Sequence, residues 1–74
     1  MEVKIGVQFA PREIIVETMS SAEEVEQALA DAVRTGTLFT LVDEKGRRVH
    51  VPADKLAYVE VGEQVERRVG FGTI

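Results

Sequence analysis

Apolar and polar residues alternate from the start of the chain, with Val3, Ile5 and Val7 interleaved with Glu2, Lys4, Gly6 and Gln8. A repeat of two is the signature of a strand with one buried face. Phe9-Ala10-Pro11-Arg12 breaks the pattern, because Pro11 lacks an amide hydrogen and fixes its own φ. Residues 13–17 resume it with the β-branched run Ile14, Ile15 and Val16, which predicts a second strand and a hairpin joining the two.

The period then lengthens. Val25, Ala28, Leu29, Ala32 and Val33 recur at helical spacing, while Glu23, Glu26, Gln27, Asp31 and Arg34 face away, so an amphipathic helix is expected over residues 22–35. Ser21 with Glu24 has the spacing of a reciprocal N-terminal cap. Glu23 and Glu24 suit the positive first turn, Arg34 the negative last turn, and Gly36 the left-handed residue that closes a helix.

Residues 37–42 (TLFTLV) are apolar on both faces, as in a central strand or one covered twice. A turn at residues 43–46, with Gly46 free to take positive φ, leads into a strand over residues 47–51 with Val49 and Val51 inward and Arg48 and His50 outward. Residues 52–55 read as a turn or one helical winding. A fifth strand follows over residues 56–61, with Ala57, Val59 and Val61 on one side and Tyr58 and Glu60 on the other. The expected order is ββαβββ: an α+β domain of mostly antiparallel sheet with the helix packed on one face. That domain occupies residues 1–62. Beyond it, Val65, Val69, Phe71 and Ile74 follow no core-forming period, so residues 63–74 read as a C-terminal tail that docks on the sheet or on a partner.

Composition narrows the setting. A chain of 74 residues forms one domain with a modest core. The absence of cysteine removes disulfides and thiolate-bound zinc as staples. With no secretory leader read at the N-terminus and no apolar run near the about 20 residues that cross a bilayer, the expected location is the cytoplasm, with no membrane partner. Apolar residues make up 45 % of the chain, which argues against disorder. A net charge of −4, from 13 acidic and 9 basic residues, weighs against nucleic acid as a partner.

Candidate chemistry is sparse. His50 is the only histidine and has no cysteine beside it, and Ser20 and Ser21 are accounted for as caps. Glu2, Glu13, Glu17, Glu60 and Glu63 could bring carboxylates together across strands, but surface strands carry such charges against aggregation. No G-x-x-x-x-G-K-[ST] loop occurs, and Gly70-Phe71-Gly72 opens no helix. The sequence therefore predicts no enzyme, no metal site and no cofactor. Arg47-Arg48 and Arg67-Arg68 together make a candidate basic patch for an anionic ligand or nucleic acid, the alternative function. The leading expectation comes from surplus apolar surface, because one short helix cannot cover both faces of a five-stranded sheet. Phe39, Leu41 and Tyr58 are expected on the uncovered face and, with Val69 and Phe71 of the tail, form the candidate interaction face. The function this implies is a non-enzymatic protein-interaction or regulatory module that self-associates through that face as a homo-oligomer and engages a further protein partner.

Three segments, MEVKIGVQFAPRE, VPADKLAYVEVG and RRVGFG, together resemble a family of small actinobacterial proteins catalogued as a domain of unknown function. The resemblance covers nearly the whole chain. It implies a cytoplasmic, actinobacterial setting; members are sometimes labelled ATP-binding, and no catalytic residue is carried over from them.

Overall fold

The computed structural model describes residues 1–62. Its elements are β1 (Glu2–Val7), β2 (Ile14–Glu17), α1 (Ala22–Thr35), β3 (Leu38–Val42), β4 (Arg48–Pro52), a single 3₁₀ turn (Ala53–Lys55) and β5 (Leu56–Gly62), the ββαβββ order of an α+β fold. All strand pairs are antiparallel. The strands divide between a three-stranded sheet in the order β2-β1-β5 and a two-stranded sheet of β3 and β4.

Local chemistry accounts for the helix. The Glu24 amide donates to Ser21 Oγ at 3.1 Å and the Ser21 amide donates back to Glu24 Oε1 at 2.8 Å, which closes the reciprocal cap. At the other end Gly36 takes φ 68°, a left-handed conformation that a side chain would strain. Val25 and Ala32 are buried, and Ala28 and Leu29 pack partly against the core. Val33, expected on the buried stripe, is instead 61 % exposed. At about 100° per residue it stands about 80° around the helix from Val25, beyond the edge of the packed face.

Val3, Ile5, Val16, Phe39, Leu41 and Val51 meet Val25 and Ala32 of the helix in one core drawn from both sheets. This arrangement overturns the expectation of an uncovered face bearing Phe39 and Leu41. Those side chains are 0 % and 4 % exposed, because that face of β3 packs against α1 and joins the shared core with Val3, Ile5 and Val16. Burying a side chain of this size contributes about 1.5–3 kcal/mol. The outer face of β3 carries Leu38 and Val42, 52 % and 45 % exposed, and the Thr40 hydroxyl lies 2.8 Å from Nδ1 of outward-facing His50.

The two sheets meet at Thr18. Its amide donates to the Met1 carbonyl (3.0 Å), its carbonyl accepts from the Met1 nitrogen (2.9 Å), and on its other side it forms an isolated antiparallel bridge with Asp43. The buried Thr18 hydroxyl donates to the Val42 carbonyl at 2.9 Å and accepts from the Ser20 amide at 3.2 Å. β2 is thereby joined to the end of β3 at a single point.

Candidate functional site

Beyond that point β2 and β3 part. The chain turns back through residues 43–47, and a cleft of about 640 Å³ opens between β2 (Ile14, Ile15, Val16, Glu17) and the β3–β4 turn (Asp43, Glu44, Lys45, Arg47, Arg48, Val49). Hydrogen bonds in an antiparallel ladder alternate along each strand. Since Met1 and Thr18 bond each other, the amides and carbonyls of Val16 and Ile14 also face β1, and those of Ile15 and Glu17 face the cleft. The Glu17 carbonyl accepts from the Glu44 amide at 2.9 Å, at the closed end of the cleft. Ile15, opposite Lys4, has no backbone partner on that side among the described residues.

The far wall is a turn locked by Asp43. Its Oδ1 accepts from the amides of Lys45 (2.9 Å) and Arg47 (2.8 Å), and its Oδ2 from Arg47 Nε (2.6 Å). Gly46 at φ 85° completes the reversal and donates its amide to the Asp43 carbonyl (3.0 Å). Burial pushes the Asp43 carboxyl up, but the hydrogen bonds from the Arg47 amide and guanidinium and the Lys45 amide, with the Arg47 charge, outweigh it and hold the pKa below its ordinary value. From its sequence position Asp43 is only a turn residue. An aspartate four residues before an arginine, with a glycine between them, is the signal for this lock.

The expected site residues separate. Of the basic patch, Arg47 and Arg48 both line the cleft, but the Arg47 guanidinium is held by Asp43, so Lys45 and Arg48 are the cations left to face a ligand. Arg67 and Arg68, like Val69 and Phe71, lie outside the described residues. Tyr58 is half-exposed, on the opposite side of the three-stranded sheet from the core that holds Phe39 and Leu41, and shares no surface with them. Its ring lies across Gly6, its cross-strand partner, and its hydroxyl donates to Glu13 Oε2. That hydrogen bond, then burial, then the charges of Glu13 and Glu60 push the phenol pKa up. Among the carboxylates, Glu2 stands opposite Glu17 and Glu60 opposite Lys4. No group of three or more His, Cys, Asp or Glu gathers among the described residues, and no helix there is long and apolar enough to cross a membrane.

No curated protein matches the chain. A family described as "Protein of unknown function (DUF3107)" matches residues 1–72. That match spans all the described residues and continues beyond them, and it agrees with the resemblance carried by the three segments above. The chain belongs to this DUF3107 family of proteins of unknown function.

Proposed function

We propose that this domain is a protein-interaction module that takes an extended peptide as an added strand along the outer edge of β2. The observation that carries this reading is the cleft-facing backbone of Ile15 and Glu17 beside a strand bridged at only one end. An open strand edge in a cleft supplies main-chain hydrogen bonds for affinity, and the flanking side chains supply specificity. Ile14, Ile15, Val16 and Val49 give the cleft an apolar lining, while the turn side carries Lys45 and Arg48 with Glu44 beside them, and β2 adds Glu17. The ligand that fits is an extended peptide in which apolar residues alternate with charged ones. A role for Phe39 and Leu41 in self-association is not part of this reading, since both serve the core.

Selection of displayed random peptides on the full chain tests the proposal, followed by affinity measurement on two variants. Ile15→Pro removes a cleft-facing N–H at an edge position that proline tolerates, and Arg48→Glu reverses the charge on the turn side. Peptides in which apolar residues alternate with charged ones should be enriched, and each variant should bind them at least about tenfold more weakly with an unchanged circular dichroism spectrum. Failure to enrich any peptide, or full binding by Ile15→Pro, would remove the strand-addition reading.

A further inference from the structure

The described sheets present further strand edges, and they are not equally protected. Open edges pair with other chains unless they are short, charged, interrupted by proline or covered. β2, with only four residues, opens into the cleft assigned above to a peptide and not onto a free outer edge. β4 carries Arg48, His50 and Pro52 along RVHVP. β5 (LAYVEVG) has seven residues, no proline, and Glu60 as its one charge, which stands across from Lys4 of β1. Among the described residues β5 pairs with β1 alone, at the end of the order β2-β1-β5.

The direction of its free groups follows from the ladder. Val3 and Ile5 face β2, so Glu2, Lys4 and Gly6 face β5 and bond their partners Gly62, Glu60 and Tyr58. The amides and carbonyls of Val59 and Val61 therefore point away from the sheet. From these observations we infer that a second copy of this chain pairs with β5, antiparallel about a two-fold axis through Val59, so that the strands run β2-β1-β5-β5-β1-β2 across both copies.

A two-fold interface sets each residue against its symmetry mate, and an axis through Val59, the middle residue of β5, keeps the whole strand paired, whereas one through Val61 keeps only residues 60–62. An axis through Glu60 would place the two Glu60 carboxylates directly opposite each other, an unfavourable pair. An axis through Tyr58 would set Val61 and Gly62 against Lys55 and Asp54 of the 3₁₀ turn, outside the strand. The axis through Val59 sets Val59 against Val59, Ala57 against Val61, and each Glu60 against a Tyr58 of the other copy, with no like charges opposed. This contact uses a different edge from the β2 cleft and leaves that cleft open.

The chain has no cysteine, so a single introduced thiol can bridge only to another copy. Across the proposed axis the Val59 Cα atoms are about 5.5 Å apart, inside the about 4.4–6.8 Å that a disulfide spans. The two Val61 positions are offset by four residues, about 13 Å along the strands. Sedimentation of the full chain should give a dimer mass at high micromolar concentration, and mild oxidation should cross-link Val59→Cys and not Val61→Cys. A strictly monomeric chain at millimolar concentration would overturn the proposal. So would a dimer in which Val61→Cys cross-links as readily as Val59→Cys.

Discussion

Gly6 is a strand residue with ordinary negative φ, since the only described glycines with positive φ are Gly36 and Gly46. By backbone arguments alone Gly6→Ala should stabilise the domain by about 0.4–1 kcal/mol, through the lost freedom of the unfolded chain. Packing predicts the opposite. A Cβ built on Gly6 falls within the Tyr58 ring, against Cε2, Cζ and Cδ2, so the ring must swing away and give up its contact with Glu13. Overpacking of this kind costs about 1–3 kcal/mol, which leaves a net loss of about 1–2 kcal/mol. In a domain this small that lowers Tm by about 4–15 °C. Thermal and urea denaturation of the full chain, followed by far-ultraviolet circular dichroism, reads the change. The decisive comparison is the same substitution in a Tyr58→Ala background, where the obstacle is gone and Gly6→Ala should become neutral or stabilising. A higher Tm for Gly6→Ala alone, or an equal loss in both backgrounds, would refute the argument that the tyrosine ring requires a glycine beneath it.

Phe39→Ala should cost about 3–5 kcal/mol, because Phe39 is fully buried, and this is most of the stability that a small domain possesses; a folded variant with wild-type Tm would show that the residue is not core. Tyr58 is the chain's only tyrosine and there is no tryptophan, so its phenolate absorbance can be followed alone. It should ionise above its ordinary pKa in the folded protein, with Glu13→Ala bringing the transition down. The pKa is raised by folding, so the associated stability is present below the unfolded-state value and is lost as pH rises through the folded one. Phe9 sits at φ 62° with its side chain fully exposed, so it accepts left-handed strain with no burial in return. Phe9→Gly should raise stability by about 0.5–1 kcal/mol, as the about 1–2 kcal/mol of relieved strain exceeds the entropy of the added glycine; a lower urea midpoint would contradict this.

What could be read from the sequence follows the range of the interactions. The helix is legible almost to the residue because Ser21, Glu24 and Gly36 act on their own neighbourhood, and only the marginal Val33 departs from its expected face. The strands are legible for the same reason. Their grouping is not, because TLFTLV is apolar on both faces and nothing local says whether Phe39 and Leu41 or Leu38 and Val42 turn inward. That choice depends on which face of β3 meets α1 and the side chains of β1 and β2, elements distant from it in the chain. The cleft is less legible still. It exists because Thr18 meets Asp43 while the next residues turn away, a relation between segments that no single stretch encodes. Arg47 and Arg48 both line the cleft, but the claim of Asp43 on Arg47 emerges only from the folded turn.

The Thr18 hydroxyl ties more than two strands together. It holds the Val42 carbonyl on one side and the Ser20 amide on the other, and Ser20 directly precedes the residue that caps α1. Any rotation that widens the cleft must therefore pull on a knot whose other cord runs into the helix. A peptide seated against β2 would be felt as tension at the entry to α1, and Thr18→Val, which keeps the shape and the Glu44–Glu17 backbone bond but removes both hydroxyl bonds, would weaken that transmission.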